Sequence, residues 1–140
     1  MAASTGLAVS LLLRPALAQS DELTAAVSNY AAGQKVTPGK VKLEVAELVE
    51  NGNVVPITVV VDSPMTAANH VKAIAIFNEK NPQREVATFT LGPRYGKASV
   101  STRIRLATTQ KLVAVAQMSD GTYWSHTVDV IVTLAACIET

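Results

Sequence analysis

The sequence is poor in sulfur and in aromatic rings, and it has no excess of charge of either sign. One cysteine, Cys137, stands among 140 residues, so no internal disulfide is available. With it, the two histidines, His70 and His126, are too few and too scattered to build a structural zinc site, and no metal is expected. The formal charge is +1, without the basic patch that nucleic acid requires. No glycine-rich loop that cradles phosphate is present, and no apolar run is long enough to span a bilayer. What remains is a chain that is 49% apolar but only 4% aromatic, rich in Val, Ala and Thr, which suits pleated surfaces. At this length a single domain buries a full core unaided, and a mainly β protein is expected.

The chain divides into three parts. Leu7 to Leu13 is a short apolar run and Ala16-Leu17-Ala18 an A-x-A cleavage site, which predicts an export signal over residues 1–18 and a mature chain beginning near Gln19. Met1 to Ser4 lack the Lys or Arg of a charged leader, and the competing reading is an ordinary apolar helix. Residues 19–134 form the domain, and residues 135–140 a tail around the cysteine.

Within the domain, Ser20 caps a helix over Asp21 to Tyr30, with Gly33 as its stop and Leu23, Ala26, Val27 and Tyr30 on one face. From Lys40 the period changes to two. Val41, Leu43 and Val45 point one way, and Asn51-Gly52 predicts a tight hairpin turn. Further strands are expected at Val55 to Val61, Val71 to Asn78, Arg84 to Leu91, Ser99 to Leu106, Leu112 to Met118 and Thr122 to Leu134. Asp120-Gly121 supplies a second hairpin turn. About seven short strands at this spacing predict an all-β, antiparallel β-sandwich with a short N-terminal helix.

Candidate chemistry gathers at the tail. A cysteine near a chain terminus can be presented to other molecules while the body stays rigid, although an isolated cysteine also serves as a small buried hydrophobe. In an exported protein an odd cysteine points to a reactive thiol or an intermolecular bond. His126 is the only histidine near it in sequence, but eleven residues of extended strand separate them, and a surface histidine is the simpler reading. Asp62, Glu79 and Asp120 sit in separate turns, where carboxylates serve turn geometry. Arg103 and Arg105 share a strand face that suits solvent, an anion or a partner equally. No active site is expected in the body.

The sequence also carries motifs that occur together in one family. Val61-Asp62-Ser63-Pro64-Met65-Thr66, Asn81-Pro82, Ser101-Thr102-Arg103-Ile104-Arg105-Leu106-Ala107 with Gln110 behind it, Ser119-Asp120-Gly121, and Val132-Thr133 before a terminal cysteine resemble SoxY, across roughly Leu23 to Cys137. SoxY is the sulfur carrier of the periplasmic thiosulfate-oxidising Sox system. The resemblance implies an immunoglobulin-like sandwich with an extended C-terminal arm, periplasmic and soluble, and paired as a heterodimer with a SoxZ-like subunit. It implies no cofactor and no catalysis of its own. Cys137 would be the covalent attachment site for sulfur intermediates, with Ala135, Ala136 and Ile138 forming the arm around it. SoxAX, SoxB and a sulfane dehydrogenase would be the enzymes that act on it. The family's arm reads Gly-Gly-Cys-Gly-Gly, whereas this chain has Ala135-Ala136-Cys137-Ile138-Glu139. The alternative reading is an adaptor sandwich whose cysteine is inert or joins two chains.

Overall fold

In the computed structural model, residues 20–134 are described, and they form one helix and nine strands. The helix α1 spans Asp21–Tyr30. The strands are β1 Val36–Pro38, β2 Val41–Glu44, β3 Leu48–Val49, β4 Val55–Val61, β5 Val71–Asn78, β6 Glu85–Thr90, β7 Ser99–Ile104, β8 Gln110–Met118 and β9 Tyr123–Val132. The larger sheet has the order β1-β9-β8-β5-β6, with β3 also joined to β9, and the smaller has the order β2-β4-β7. Most pairings are antiparallel, but β1 and β3 both run parallel to β9. No helix among the described residues is long and apolar enough to cross a membrane. The expected export signal over residues 1–18 lies outside the described residues.

The helix forms where its caps are. Ser20 Oγ accepts the Leu23 N–H at 3.3 Å, and Asp21 and Glu22 place negative charge in the first turn, where the helix dipole favours it. At the other end Gly33, with φ of +76°, takes the left-handed conformation that stops the helix, and its N–H reaches Ser28 O at 2.9 Å. Leu23 and Val27 are buried against Ala75 and Phe77 of β5 and Val113 and Val115 of β8. Burying two such side chains contributes roughly 3–5 kcal/mol.

This helix explains a sequence feature of β5 and β8. Their apolar residues run on without alternation because both faces are covered. Ile74, Ile76, Leu112, Ala114 and Ala116 face the core between the sheets, while Ala75, Phe77, Val113 and Val115 face α1. By contrast β4, with one face in solvent, alternates: Val55, Ile57, Val59 and Val61 are buried and the residues between them are not.

Two local expectations are corrected. Asn51-Gly52 does not close a hairpin, because β2 meets β4 with Glu44 opposite Thr58, and the intervening chain crosses to the other sheet to pair as β3 with β9. His126 is not a simple surface residue. It is half-buried on β9 between the stretches paired with β1 and β3, and its Nδ1 accepts the Leu43 N–H of β2 at 2.9 Å. It thereby joins the two sheets along one side of the sandwich.

Asp120-Gly121 does form the β8–β9 turn, with Gly121 at φ of +85°. The Thr122 hydroxyl and N–H both donate to the Asp120 carboxylate, at 2.6 and 2.9 Å, and these bonds hold it below its usual pKa.

Tyr30 packs edge-on against Phe77 and Tyr123, with a buried hydroxyl that has no hydrogen-bond partner among the described residues. Burial, then the nearby Tyr123 and Glu85, push its pKa up to about 12. The neutral phenol is therefore favoured by the fold. Above the unfolded value near 10 the unfolded chain loses a proton that the folded chain keeps, so stability falls as pH rises from about 10 to 12. Tyr30→Phe is expected to flatten that alkaline loss in urea titrations, and to leave stability at pH 7 unchanged or slightly higher, since it removes an unsatisfied hydroxyl.

Candidate functional site

The site is best built from the end of β9, which leads into the tail. At this point two separate segments, residues 49–52 and the loop at Thr109, hold the chain. Thr109 Oγ1 accepts the Val132 N–H at 2.9 Å. The Thr133 N–H donates to Val49 O at 2.9 Å, extending the β3 pairing by one step. The Gly52 N–H then donates to Leu134 O at 2.7 Å, while Gly52 O accepts the Leu106 N–H at 2.8 Å. Gly52 is thus a bridge between the last described residue and the segment that follows β7. The supposed turn residue is an anchor for the end of the described chain after β9.

Beneath this base lies a buried polar network. Gln110, at the start of β8, donates from Nε2 to Asn81 Oδ1 at 2.9 Å and to Thr108 O at 3.0 Å, and its Oε1 accepts the Lys80 N–H at 2.9 Å. Asn81 Oδ1 also accepts the Ala107 N–H at 2.9 Å, and its Nδ2 donates to Arg105 O at 2.7 Å. Asn78, almost fully buried, accepts the Asn81 N–H and donates to Gln83 O at 2.7 Å. Together these amides stitch the β5–β6 and β7–β8 loops to one another beside the end of β9. Amides suit the task because each both donates and accepts, so a loop's N–H and C=O groups can be satisfied by one side chain.

Two cations here are paired with carboxylates. Lys111 Nζ meets Asp129 Oδ1 at 2.7 Å, and Arg84 bonds Glu22 of α1 and the Asn81 carbonyl. Glu79 accepts the Ser20 N–H at 3.2 Å and the Lys111 N–H at 3.3 Å. The start of α1 is therefore tied to the same end of the sandwich as the end of β9. Asp120 acts as the sequence suggested, as a turn carboxylate, whereas Glu79 ties distant segments together instead of serving its own turn; Asp62, after β4, uses its backbone N–H to reach Lys40 O at 2.7 Å. Arg103 and Arg105 are exposed, with Arg103 on the outer face of β7 opposite Pro56.

The site residues expected from the sequence, Cys137 with Ala135, Ala136 and Ile138, lie outside the described residues. His126, weighed there as a base for the thiol, has its Nδ1 lone pair engaged by Leu43, which leaves its proton on Nε2. Among the described residues no group of three or more His, Cys, Asp or Glu comes together to hold a metal. The anchors Val49, Gly52 and Thr109 were not legible in the sequence, since their partners lie between 23 and 84 residues away.

The motifs that suggested a family fall at the two ends of the sandwich. Asn81-Pro82, Leu106-Ala107, Gln110 and Val132-Thr133 converge at the end of β9. At the far end, the segment after Val61 meets Ser119: the His70 N–H donates to Ser119 Oγ at 3.0 Å, and the Ser119 N–H to His70 O at 2.8 Å. Their joint occurrence is thus a statement about how the loops are held.

Comparison with known proteins agrees. No curated protein matches the chain. Among solved structures, the sulfur carrier protein SoxY from Chlorobium limicola f thiosulfatophilum superposes with a TM-score of 0.65 at 32% identity, over 80% of this chain and 96% of that one. Neelaredoxin, a superoxide reductase from Ignicoccus hospitalis, has a TM-score of 0.59 at 20% identity, over 74% of this chain and 91% of that one. The superoxide reductase from Nanoarchaeum equitans has a TM-score of 0.57 at 13% identity, over 69% of this chain and 100% of that one. At those lower identities the likeness is one of fold alone. The family model described as sulfur oxidation protein SoxY matches residues 27–137, a span that takes in both ends of the sandwich and closes on the cysteine. With the loop-holding motifs, the fold and this match in agreement, the chain belongs to the SoxY family of sulfur oxidation proteins.

Proposed function

We propose that this protein is a periplasmic sulfur carrier that holds thiosulfate-derived intermediates covalently on Cys137 and presents them to the enzymes of a Sox system. One observation carries the reading. A family member's body is pinned through Leu134 by Val49, Gly52 and Thr109, and the chain's single thiol follows three residues later. A firm base with a thiol just beyond it suits a group that several enzymes must each admit.

The chemistry proposed for Cys137 balances as follows. The thiol and thiosulfate join through a new S–S bond with loss of one proton and two electrons, the electrons passing to a haem c enzyme of the SoxAX kind. Water then cleaves the S–S bond to the sulfonate in a SoxB-type hydrolysis, releasing sulfate and a proton and leaving a persulfide on the cysteine. A sulfane dehydrogenase, where present, oxidises the remaining sulfur. The carrier contributes a nucleophile, whose thiolate is the reactive form, and supplies no acid, base or redox group of its own. It works as a heterodimer with a SoxZ-like subunit after removal of residues 1–18.

Alkylation with iodoacetamide tests the exposure this role requires. The folded chain is expected to take up one equivalent at Cys137 at a rate within about ten-fold of a free thiol of ordinary pKa. Alkylation only after denaturation would defeat the reading.

A further inference from the structure

Residues 36–49 run along β9 and change sheets on the way. Val36, Thr37 and Pro38 of β1 pair with Tyr123, Trp124 and Ser125, and the Gly39 N–H donates to Ser125 O at 3.0 Å. The chain then leaves for the smaller sheet as β2. It returns to β9 where Glu47 O accepts the Ile131 N–H at 2.8 Å and Val49 O the Thr133 N–H at 2.9 Å. In the middle the tie is a side chain, the His126 ring. Because β2 is an edge strand, the Leu43 N–H finds no strand on its outer side, and His126 Nδ1 supplies the acceptor at 2.9 Å. Leu43 is buried, so this N–H is costly to leave without a partner.

We propose that His126 is an acid-sensitive fastener: a proton taken up at Nδ1 turns the acceptor into a donor, breaks the bond to the Leu43 N–H and lets residues 36–49 part from β9. Imidazole is the side chain whose charge changes between about pH 5 and 8, and only its neutral form can make this bond. His70 shows the opposite arrangement. Its Nδ1 lies 3.0 Å from Thr66 O, which can only accept, so a second proton goes to Nε2 and costs no bond. Among the described residues, the elements packed against His126 carry few charges. On β2, Glu44 is paired with Lys42 at 3.6 Å, and both alternate with the inward-facing Leu43. On the same face of β9, Lys40 Nζ lies 4.5 Å over the Trp124 ring. Asp129 is paired with Lys111 on the other face of the larger sheet, while Lys35 and Glu47 are exposed ahead of β1 and β3. Opposite His126, β8 sets Ala114, and β4 turns Ile57 and Val59 inward, none of them titratable. Loss of the bond reaches the end of β9, because β3 is only two residues long and its Val49 holds Thr133. The hydrolysis proposed for Cys137 releases a proton, so on that reading the fastener responds to the product of the chemistry, but the device itself stands on the fold alone.

The test follows backbone amide exchange in the full chain by NMR, as protection factors corrected for the intrinsic pH dependence of exchange. From about pH 7 to about pH 5, protection at Leu43, Ile131 and Thr133 is expected to fall about ten-fold, while Ile76 in the middle of the larger sheet keeps its value. In His126→Asn, the Oδ1 can accept the same N–H and takes up no proton in this range. That variant is expected to keep the protection seen in the wild type near neutrality and to show no fall on acidification. Protection in the wild-type chain that is the same at both pH values overturns the proposal, and that measurement needs no variant to fold. A fall shared equally by Ile76 overturns it as well, since the whole sandwich and not this seam would be responding. So does a fall that persists in His126→Asn, which would assign the effect to another group.

Discussion

Gln110→Leu is expected to cost about 3 kcal/mol of stability, measured as a fall in the urea midpoint without a change in slope. Leucine nearly preserves volume, so no cavity explains the loss. What disappears is the set of three hydrogen bonds by which Gln110, 3% exposed, serves Asn81, Thr108 and the Lys80 N–H. Asn81 Oδ1 keeps the Ala107 N–H, so the Lys80 N–H and the Thr108 carbonyl are the groups that lose a partner; at roughly 1–3 kcal/mol each, with solvent reaching part of the set, the sum falls in the lower half of the combined range. The variant should also loosen the arm's base, because the neighbouring Thr109 holds the Val132 N–H. Faster hydrogen exchange at Val132 would show it. A loss below about 1 kcal/mol would mean that the network is ornamental to the fold.

Replacing Ala135, Ala136, Ile138 and Glu139 together by glycine is expected to raise the rate of thiosulfate loading at least ten-fold with a SoxAX whose own carrier ends in Gly-Gly-Cys-Gly-Gly. Glycine enters backbone conformations that alanine and, more strongly, the β-branched isoleucine resist. It also presents the smallest cross-section to a narrow channel. Glu139 adds a negative charge one residue past Ile138, which repels thiosulfate and the sulfonated adduct, most strongly at low salt. The single substitution Glu139→Gln should therefore recover a small, salt-sensitive part of the gain, and the steric changes the rest. If the native arm loads as fast as the glycine arm, the altered sequence is no impediment. A faster rate for the native arm with its own cognate enzyme would show that channel and arm have diverged together.

The contrast between what the sequence discloses and what it hides has a physical basis. Helix α1 is legible because Ser20, the 3-and-4 spacing of Leu23, Ala26, Val27 and Tyr30, and Gly33 are all local signals. Strands β2, β4 and β7 are legible because one bare face forces alternation. The short β1 and β3 are not. Three and two residues long, they are strands only because β9 offers them an edge, and nothing local encodes a partner more than 80 residues away. Asn51-Gly52 misleads for the same reason: its composition is that of a turn, but its role is set by Leu106 and Leu134. Uniqueness makes Cys137 the candidate and motif order identifies the family, while the anchors at the end of β9 emerge only from the folded topology. His126 is instructive as well. As a residue type it suggests catalysis, and its actual bond to Leu43 gives it a structural task.

The central claim is that Cys137 carries sulfur in the cell, and mass spectrometry of the tail peptide from protein isolated during thiosulfate oxidation tests it most directly. Thiosulfonate or persulfide adducts on Cys137, absent after reduction and absent from a Cys137→Ser chain, are the expected result. An unmodified thiol throughout active oxidation, or a disulfide between two copies of the chain in its place, would contradict the account.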